Sequence, residues 1–291
     1  MADPDHDAEF VEIVEVGPRD GLQNEARQIP VAEKIALIDA LSAVGFRRIE
    51  AASFVSPKWV PQMAGSAEVL AGIRRAPGVR YTALTPNLRG FQDAALAHAD
   101  EVAVFASASE GFSRANINAG IDESLTRFKP VMAAAKDAGI PVRGYVSCVV
   151  DCPFDGAVPP ADVARVTNAL FGMGCFEVSL GDTLGRAAPD EIERMLAAVL
   201  DIAEPARLAG HFHDTSGMAV QNVLVALKHG LRVFDAAVGG LGGCPYAPGA
   251  AGNVATGTLA VALSEAGYRH GLDLVALASA AEMAKGMRGD R

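Results

Sequence analysis

Apolar segments of strand length alternate with helix-periodic segments along nearly the whole chain. The eight predicted strands cover residues 10–16, 48–54, 79–84, 101–106, 142–149, 176–180, 208–212 and 233–238. Strands that are apolar on both faces and are joined through helices form parallel sheets, since parallel neighbours need a long crossover connection. The eightfold alternation therefore predicts an α/β protein with a (β/α)8 TIM-barrel fold.

The segments between these strands carry the periodicity of amphipathic helices. Ile192, Met195, Leu196 and Val199, for example, repeat at the spacing of one helix face. The predicted helices cover residues 32–44, 66–75, 121–138, 162–173, 190–200, 217–229 and 254–266. An open doubly wound sheet is the rival architecture, but the early turn at 17–21 lacks the G-x-G-x-x-G spacing that such folds use for phosphates.

The chain has 291 residues, a length compatible with one barrel domain. We expect a single domain over residues 1–291, with the barrel from about 10 to about 270. A further helix, at about 272–287, is expected to lie outside the barrel or against a neighbouring subunit.

Charge and composition exclude several classes of protein. The net charge of −10 argues against nucleic-acid binding, which needs a basic face. No apolar run approaches the roughly 20 residues that span a bilayer, and the acidic N-terminus differs from basic targeting peptides. We therefore expect a compact cytoplasmic protein, whose four cysteines are reduced thiols.

Two histidines, His211 and His213, lie at the end of the seventh predicted strand. Side chains on a strand alternate faces, so both imidazoles project to the same side. Two converging imidazoles suit a divalent cation, although a pair of hydrogen-bonded core histidines is the alternative.

Other polar residues follow the carboxyl ends of predicted strands, where the active sites of (β/α)8 barrels lie. Arg19 and Asp20 follow the first strand, Glu50 lies in the second, and Asp182 follows the sixth. Asp20 could join the histidines as an oxygen ligand for Mg²⁺ or Mn²⁺, with Asn253 adding an amide oxygen. Taken alone, Asp20 could instead cap a turn and Asn253 a helix.

A loop rich in glycine follows the eighth strand and carries Cys244. Six glycines and two prolines among residues 239–253 exclude a regular helix or strand. A thiol in such a loop, at the catalytic face of a barrel, is a candidate acid or base brought to the substrate by loop closure. The alternative is an incidental surface cysteine.

Residues 240–253, GLGGCPYAPGAAGN, closely resemble the signature of the 3-hydroxy-3-methylglutaryl-CoA lyase family. Residues 16–24, VGPRDGLQN, resemble the first-strand motif of the wider superfamily of metal-dependent lyases and Claisen-type condensing enzymes, which are TIM barrels. Further matches are SFVSPKWVPQM at 53–63, VSLGDT at 178–183 and HFHDT at 211–215. The resemblance extends from about residue 10 to about residue 270.

The resemblance implies a divalent cation, Mg²⁺ or Mn²⁺, bound by Asp20, His211, His213 and Asn253. It also places Arg19 beside the thioester carbonyl of an acyl-CoA substrate, where positive charge stabilises an enolate. The implied reaction is a retro-Claisen cleavage of 3-hydroxy-3-methylglutaryl-CoA to acetoacetate and acetyl-CoA, a step of leucine degradation and ketone body formation. A homodimer is also expected from the resemblance.

The remaining catalytic roles follow from the same resemblance. Asp182 or His211 would remove the hydroxyl proton, Glu50 would lie near that hydroxyl, and Cys244 would protonate the acetyl-CoA enolate directly or through a relay. Further candidates, for shaping the acyl-CoA pocket, are Gln23, Asn116 and Arg143.

Gly257 and Thr258 replace an acidic Glu-Asp pair that the family usually carries shortly after the loop asparagine. This departure leaves open a lyase for a different branched 3-hydroxyacyl-CoA. It also leaves open a barrel that binds acyl-CoA or metal without turnover.

Overall fold

The computed structural model describes residues 8–242 and 252–288. Its centre is a closed barrel of eight strands in which every neighbouring pair is parallel. The strands are β1 (Glu12–Glu15), β2 (Arg48–Ser53), β3 (Arg80–Leu84), β4 (Glu101–Ser107), β5 (Val142–Ser147), β6 (Glu177–Asp182), β7 (Leu208–Phe212) and β8 (Val233–Ala236). Pairing of β1 with both β2 and β8 closes the cylinder, which confirms the predicted (β/α)8 fold.

Helices surround the barrel and cover the outer faces of its strands. They are α1 (Val31–Ser42), α2 (Ser66–Gly72), α3 (Leu88–Leu96), α4 (Glu110–Ile117), α5 (Ile121–Ala138), α6 (Pro160–Met173), α7 (Pro189–Leu200), α8 (Ala219–Lys228), α9 (Thr256–Glu265) and α10 (Leu274–Met287). The periodicity analysis found neither α3 nor α4, which are short. Each begins instead at a side-chain cap, where Asn87 accepts from the Gly90 amide and Ser109 from the Phe112 amide.

The last helix, α10, lies outside the barrel, as predicted, and packs against α1 and α9. Leu277, Ala280, Ala284 and Met287 form its buried face. Asp273 caps its first turn by accepting from two backbone amides. Among the described residues, no helix has the length and apolar character needed to span a bilayer.

Charged side chains fill the amino-terminal end of the barrel. Arg48 pairs with Glu177 through its Nη1 atom at 2.8 Å and with Glu12 through its Nε atom at 2.8 Å. Arg143 lies on the other side of Glu177, with its Nε atom 2.7 Å from the carboxylate. Both guanidinium groups are almost completely buried, so each carboxylate offsets a charge that would otherwise be costly to bury.

Glu101, the first residue of β4, is the poorly compensated member of this cluster. Its nearest cations are Arg48 Nη1 and Arg80 Nη1, each 3.9 Å away, and neither of its oxygens accepts a hydrogen bond from the described part of the chain. Burial raises the pKa of Glu101 to about 7, with a smaller contribution from Glu177, against the opposing charges of Arg48, Arg143 and Arg80.

The substitution Glu101→Gln is expected to flatten the dependence of stability on pH. Because the folded state binds this proton more tightly than the unfolded state, stability falls as pH rises from about 5 to about 8. From pH 5 to pH 8 the free energy of unfolding of the parent should fall by up to about 3 kcal/mol relative to that of Glu101→Gln. Urea unfolding at a series of pH values measures it, with Glu68→Gln on the exposed face of α2 as control. Parallel curves for Glu101→Gln and the parent would contradict the prediction.

Candidate functional site

Arg19 and Asp20 are held above the barrel by a tight turn that follows β1. Residues Gly17–Gly21 form a single π-helical turn, and the amides of Arg19, Asp20 and Gly21 all point to the Val16 carbonyl. Single π-helical turns are rare, and they are frequently found at functional sites. The turn places a cation and an anion next to each other at the carboxyl end of the barrel.

Glu15, the last residue of β1, anchors this turn from below. Its Oε1 atom accepts from the amides of Gly17 and Val238, both at 2.8 Å, and its Oε2 atom accepts from Thr256 Oγ1 at 2.7 Å. Burial raises the pKa of Glu15 to about 7 in spite of these three bonds. One buried carboxyl group therefore ties the Arg19–Asp20 turn to the chain on both sides of the glycine-rich loop.

His211 and His213 project to the same side, as the strand alternation predicted, and both face Asp20. The two Nε2 atoms are 3.3 Å apart, and Asp20 Oδ2 lies 3.8 Å from His211 Nε2 and 4.0 Å from His213 Nε2. One ligand atom from each of the three residues falls within 4.8 Å of the others, the spacing of a possible metal site. Gly185, with a φ of +64°, lies so close to His213 that a Cβ atom there would be 2.7 Å from the histidine backbone.

The protonation states of Asp20 and His213 suit a cation, whereas for His211 the effect of burial is outweighed by Asp235 and Asp20, which raise its pKa. Burial is the largest single effect and would raise the pKa of Asp20, but the charges of Arg19 and the two histidines, with the hydrogen bond from Asn253, together outweigh it and lower that pKa to about 2. Burial lowers the pKa of His213 to about 4, helped by the neighbouring His211. An ionised carboxylate and a neutral imidazole are the forms that bind metals.

Asn253 completes the donor set from the far end of the chain. Its backbone pairs with His213, and its Nδ2 atom donates to Asp20 Oδ2 at 2.8 Å. The Oδ1 atom is buried without a hydrogen-bond partner among residues 8–242 and 252–288. The donor set therefore consists of an amide oxygen without a hydrogen-bond partner, a carboxylate and two imidazoles. This set fits Mg²⁺ or Mn²⁺, whereas a structural zinc site usually contains thiolates.

Arg19 pairs with a second carboxylate, Glu50, beside this cluster. Its Nε and Nη2 atoms lie 2.7 and 2.6 Å from Glu50 Oε2, while Nη1 lies 2.6 Å from Asp20 Oδ1. The guanidinium is almost fully buried and stays cationic between the two anions. Burial raises the pKa of Glu50, and the charge of Arg19 limits that rise. A fixed positive charge thus lies next to the candidate metal ligand Asp20.

The other predicted site residues differ in how deeply they are buried. Asp182 ends β6 and is buried, and its oxygens accept from the amides of Gly185 and Ala187, both at 3.0 Å. Gln23 directly follows the Arg19–Asp20 turn and is half-buried, whereas Asn116 lies exposed on α4. Cys244 falls outside the described residues.

Arg143, predicted to shape the acyl-CoA pocket, lies inside the barrel and is 2% exposed. Its three nitrogens contact Glu177 Oε1 at 2.7 Å, Tyr145 Oη at 2.9 Å and Asp235 Oδ1 at 2.9 Å. These contacts place the guanidinium in the layer beneath the histidine pair, and its neighbours there are protein groups.

Sequence reasoning missed two buried residues that contact the cluster. Tyr145 on β5 lies between Arg143 and Glu50, with its hydroxyl 3.3 Å from Glu50 Oε1. Asp235 on β8 lies 3.0 Å from His211 Nδ1. A carboxylate between Phe234 and Ala236, inside an otherwise apolar strand, was the available signal.

The fold and the cluster define a (β/α)8-barrel protein with a candidate divalent-metal centre at the carboxyl ends of its strands. Residues 10–284 match the model of the HMGL-like family, and the chain belongs to that family.

Similar proteins share nearly the full length of the chain. Hydroxymethylglutaryl-CoA lyase of Pseudomonas mevalonii is 57% identical over 268 residues, which cover 92% of this chain and 89% of that protein. The 3-hydroxy-3-isohexenylglutaryl-CoA/hydroxymethylglutaryl-CoA lyase of Pseudomonas aeruginosa is 56% identical, with 94% and 91% covered. The crystal structure of the HMG-CoA lyase from Brucella melitensis superposes with a TM-score of 0.96 at 61% identity and covers 97% of this chain and 100% of that one.

Proposed function

We propose that this protein is a divalent-metal-dependent lyase that cleaves 3-hydroxy-3-methylglutaryl-CoA to acetoacetate and acetyl-CoA. The observation that carries the proposal is the convergence of Asp20, His211, His213 and Asn253 beside the buried Arg19. The named lyases to which the chain is 56–57% identical support the same reaction. The continuous family match over residues 10–284 also supports a single barrel domain.

Asp20, His211, His213 and Asn253 would hold the cation, Mg²⁺ or Mn²⁺. A cation there would bind oxygen atoms of the substrate and lower the pKa of its C3 hydroxyl group. These four residues come from the β1 turn, the end of β7 and the segment before α9, so the barrel rim fixes their relative positions.

The charge of Arg19 would stabilise the negative charge that develops on the thioester oxygen when the C2–C3 bond breaks. Glu50 orients the guanidinium of Arg19 through two short contacts, so this side chain does not have to reorganise during the reaction. The electron pair of the broken bond becomes the acetyl-CoA enolate, and the C3 hydroxyl becomes the ketone of acetoacetate.

Two proton transfers complete the reaction. Asp182 would accept the C3 hydroxyl proton, because burial raises its pKa and makes that carboxylate a better base than an exposed one. His211, the other predicted base, would have no free lone pair for this proton while Nε2 binds the cation and Nδ1 donates to Asp235. Cys244, directly or through a relay, would protonate the enolate at C2. Gln23 and Asn116 are the proposed contacts of the acyl-CoA chain.

Gly257 and Thr258, which replace the Glu-Asp pair usual in the family, leave the packing near the site intact. Gly257 lies in the first turn of α9, where an added Cβ atom would meet nothing within 4 Å, and Thr258 is exposed. Larger side chains at these positions would therefore point into open space, and their loss creates no cavity.

Release of acetyl-CoA from 3-hydroxy-3-methylglutaryl-CoA, measured in a coupled assay, tests the proposal. We expect metal-stripped protein to be inactive and Mn²⁺ or Mg²⁺ to restore turnover, since the cation supplies the chemistry that activates the hydroxyl. Excess EDTA should abolish the restored activity, and a second addition of metal should recover it. A protein that binds Mn²⁺ and acyl-CoA but releases no acetyl-CoA would refute the lyase reaction.

A lyase acting on a 3-hydroxyacyl-CoA with a bulkier C3 branch is the second candidate. The Pseudomonas aeruginosa relative, a 3-hydroxy-3-isohexenylglutaryl-CoA/hydroxymethylglutaryl-CoA lyase, favours it at 56% identity. The chelated hydroxyl and carboxylate would be the same in both reactions, so only the alkyl pocket distinguishes them. The ratio of kcat/KM for 3-hydroxy-3-isohexenylglutaryl-CoA and 3-hydroxy-3-methylglutaryl-CoA decides between the two.

A further inference from the structure

Asp235 lies directly beside His211 in the barrel wall. β7 and β8 are parallel neighbours, and their register pairs Asp235 with His211. Paired residues of neighbouring strands project to the same face, so both side chains point into the barrel. His211 Nδ1 is 3.0 Å from Asp235 Oδ2, which is the geometry of a hydrogen bond.

The two nitrogens of His211 therefore face different partners. Nε2 points to the cluster formed with His213 and Asp20, whereas Nδ1 points to Asp235. An ionised carboxylate can only accept, so the proton of a neutral His211 must be on Nδ1. That tautomer leaves the Nε2 lone pair free for a cation.

Asp235 is itself held in place from two other strands. Ser179 Oγ on β6 donates to its Oδ2 atom at 2.8 Å, and Arg143 Nη2 on β5 lies 2.9 Å from its Oδ1 atom. The carboxylate is 1% exposed, so water does not compete for these contacts. Arg143 in turn is oriented by Glu177 and Tyr145, which leaves the carboxylate little freedom to rotate.

We propose that Asp235, held by Arg143 and Ser179, is the positioning residue that fixes the tautomer and ring orientation of His211 for metal binding. The inference rests on the metal centre proposed above. Asp235 would act through the imidazole, because its Oδ2 atom lies 3.0 Å from His211 Nδ1 on the side of the ring away from His213 and Asp20. The role differs from that of Glu177, a buried carboxylate that also pairs with Arg143 but makes no contact with His211 in the described part of the chain.

The substitution Asp235→Asn tests the proposal, with Glu177→Gln as the matched control. Both variants remove one carboxylate charge next to Arg143, but only the first changes the partner of His211. An asparagine that turns its amide nitrogen toward His211 favours the wrong tautomer, and one that turns it away places it against Arg143. We expect the Mn²⁺ affinity of the metal-stripped protein, measured by electron paramagnetic resonance, to fall about 10- to 100-fold in Asp235→Asn.

Glu177→Gln is expected to change Mn²⁺ affinity by less than about threefold, even if its thermal stability falls as much as that of Asp235→Asn. Equal losses of affinity in the two variants, or a folded Asp235→Asn with parental affinity, would overturn the proposal. Failure of the parent itself to bind Mn²⁺ would instead refute the metal centre, and with it this inference.

Nitrogen-15 NMR of the Mg²⁺-loaded parent provides a test that needs no variant. We expect His211 to carry its proton on Nδ1, with Nε2 shifted as a metal-bound nitrogen. A proton on Nε2 of His211 would overturn the proposal whether or not Asp235→Asn folds.

Discussion

Replacement of Arg19 by methionine is expected to lower kcat by at least about 10³-fold, because it removes a charge aimed at the developing enolate oxygen. The same change leaves Glu50 and Asp20 without the cation that lies 2.6 Å from each of them. Arg19→Lys keeps a charge but loses the planar fork that contacts both carboxylates, so we expect an intermediate loss of about 10²-fold. Steady-state kinetics at saturating metal measures both effects.

Arg74→Met is the control for this series. Arg74 pairs with Asp39 on the surface, where its side chain is 86% exposed, and a pair of that kind contributes little. Its kcat should equal that of the parent. A folded Arg19→Met that retains more than a tenth of parental kcat would show that this cation does not stabilise the transition state.

Removal of one imidazole should have the second large effect. His213→Ala removes a proposed ligand of the cation, whose Nε2 atom lies 3.3 Å from that of His211. Loss of a residue that only supports a metal ligand typically costs about 10- to 100-fold in metal affinity, so we expect Mn²⁺ affinity to fall by more than that. Bound ligand stabilises a folded protein by about 2.7 kcal/mol at a concentration of 100 Kd. The parent should therefore gain several degrees in Tm when Mn²⁺ is added at that level, and a variant whose Kd is more than about 100-fold higher should gain little.

His229→Ala serves as the comparison for this experiment. His229 is only partly buried, follows the last residue of α8 and lies 3.7 Å from Glu193 on the surface. Its Tm should rise with Mn²⁺ as much as that of the parent. A metal-dependent rise in Tm of the same size in His213→Ala would place the cation elsewhere.

The fold and the main features of the site could be predicted from local patterns. Alternation of strand and helix periodicity is a property of consecutive residues, so the barrel and the common direction of His211 and His213 followed without knowledge of the tertiary structure. Strand bounds differed by one or a few residues, because the ends depend on pairing with neighbours. A hairpin at residues 151–157, after β5, gave no comparable pattern, since its strands have two residues each.

The tertiary contacts of individual charged residues could not be predicted in the same way. Arg143 and Asp235 each lie in an apolar strand, and the sequence does not show which residue of another strand lies beside them. Closure of the barrel brings Arg143 to Asp235, and the register of β7 with β8 brings Asp235 to His211. A residue expected in a substrate pocket thus lies beneath the candidate metal centre.

Local sequence patterns were enough to predict the repeating strand-helix unit, the face shared by the two histidines and the family to which the motifs belong. They did not show that Asp20 Oδ2 accepts a 2.8 Å hydrogen bond from Asn253, which is 233 residues away, or that a buried carboxylate lies behind His211. Periodicity follows from the geometry of neighbouring residues, whereas a site at the rim of a closed barrel depends on how all of its strands pair.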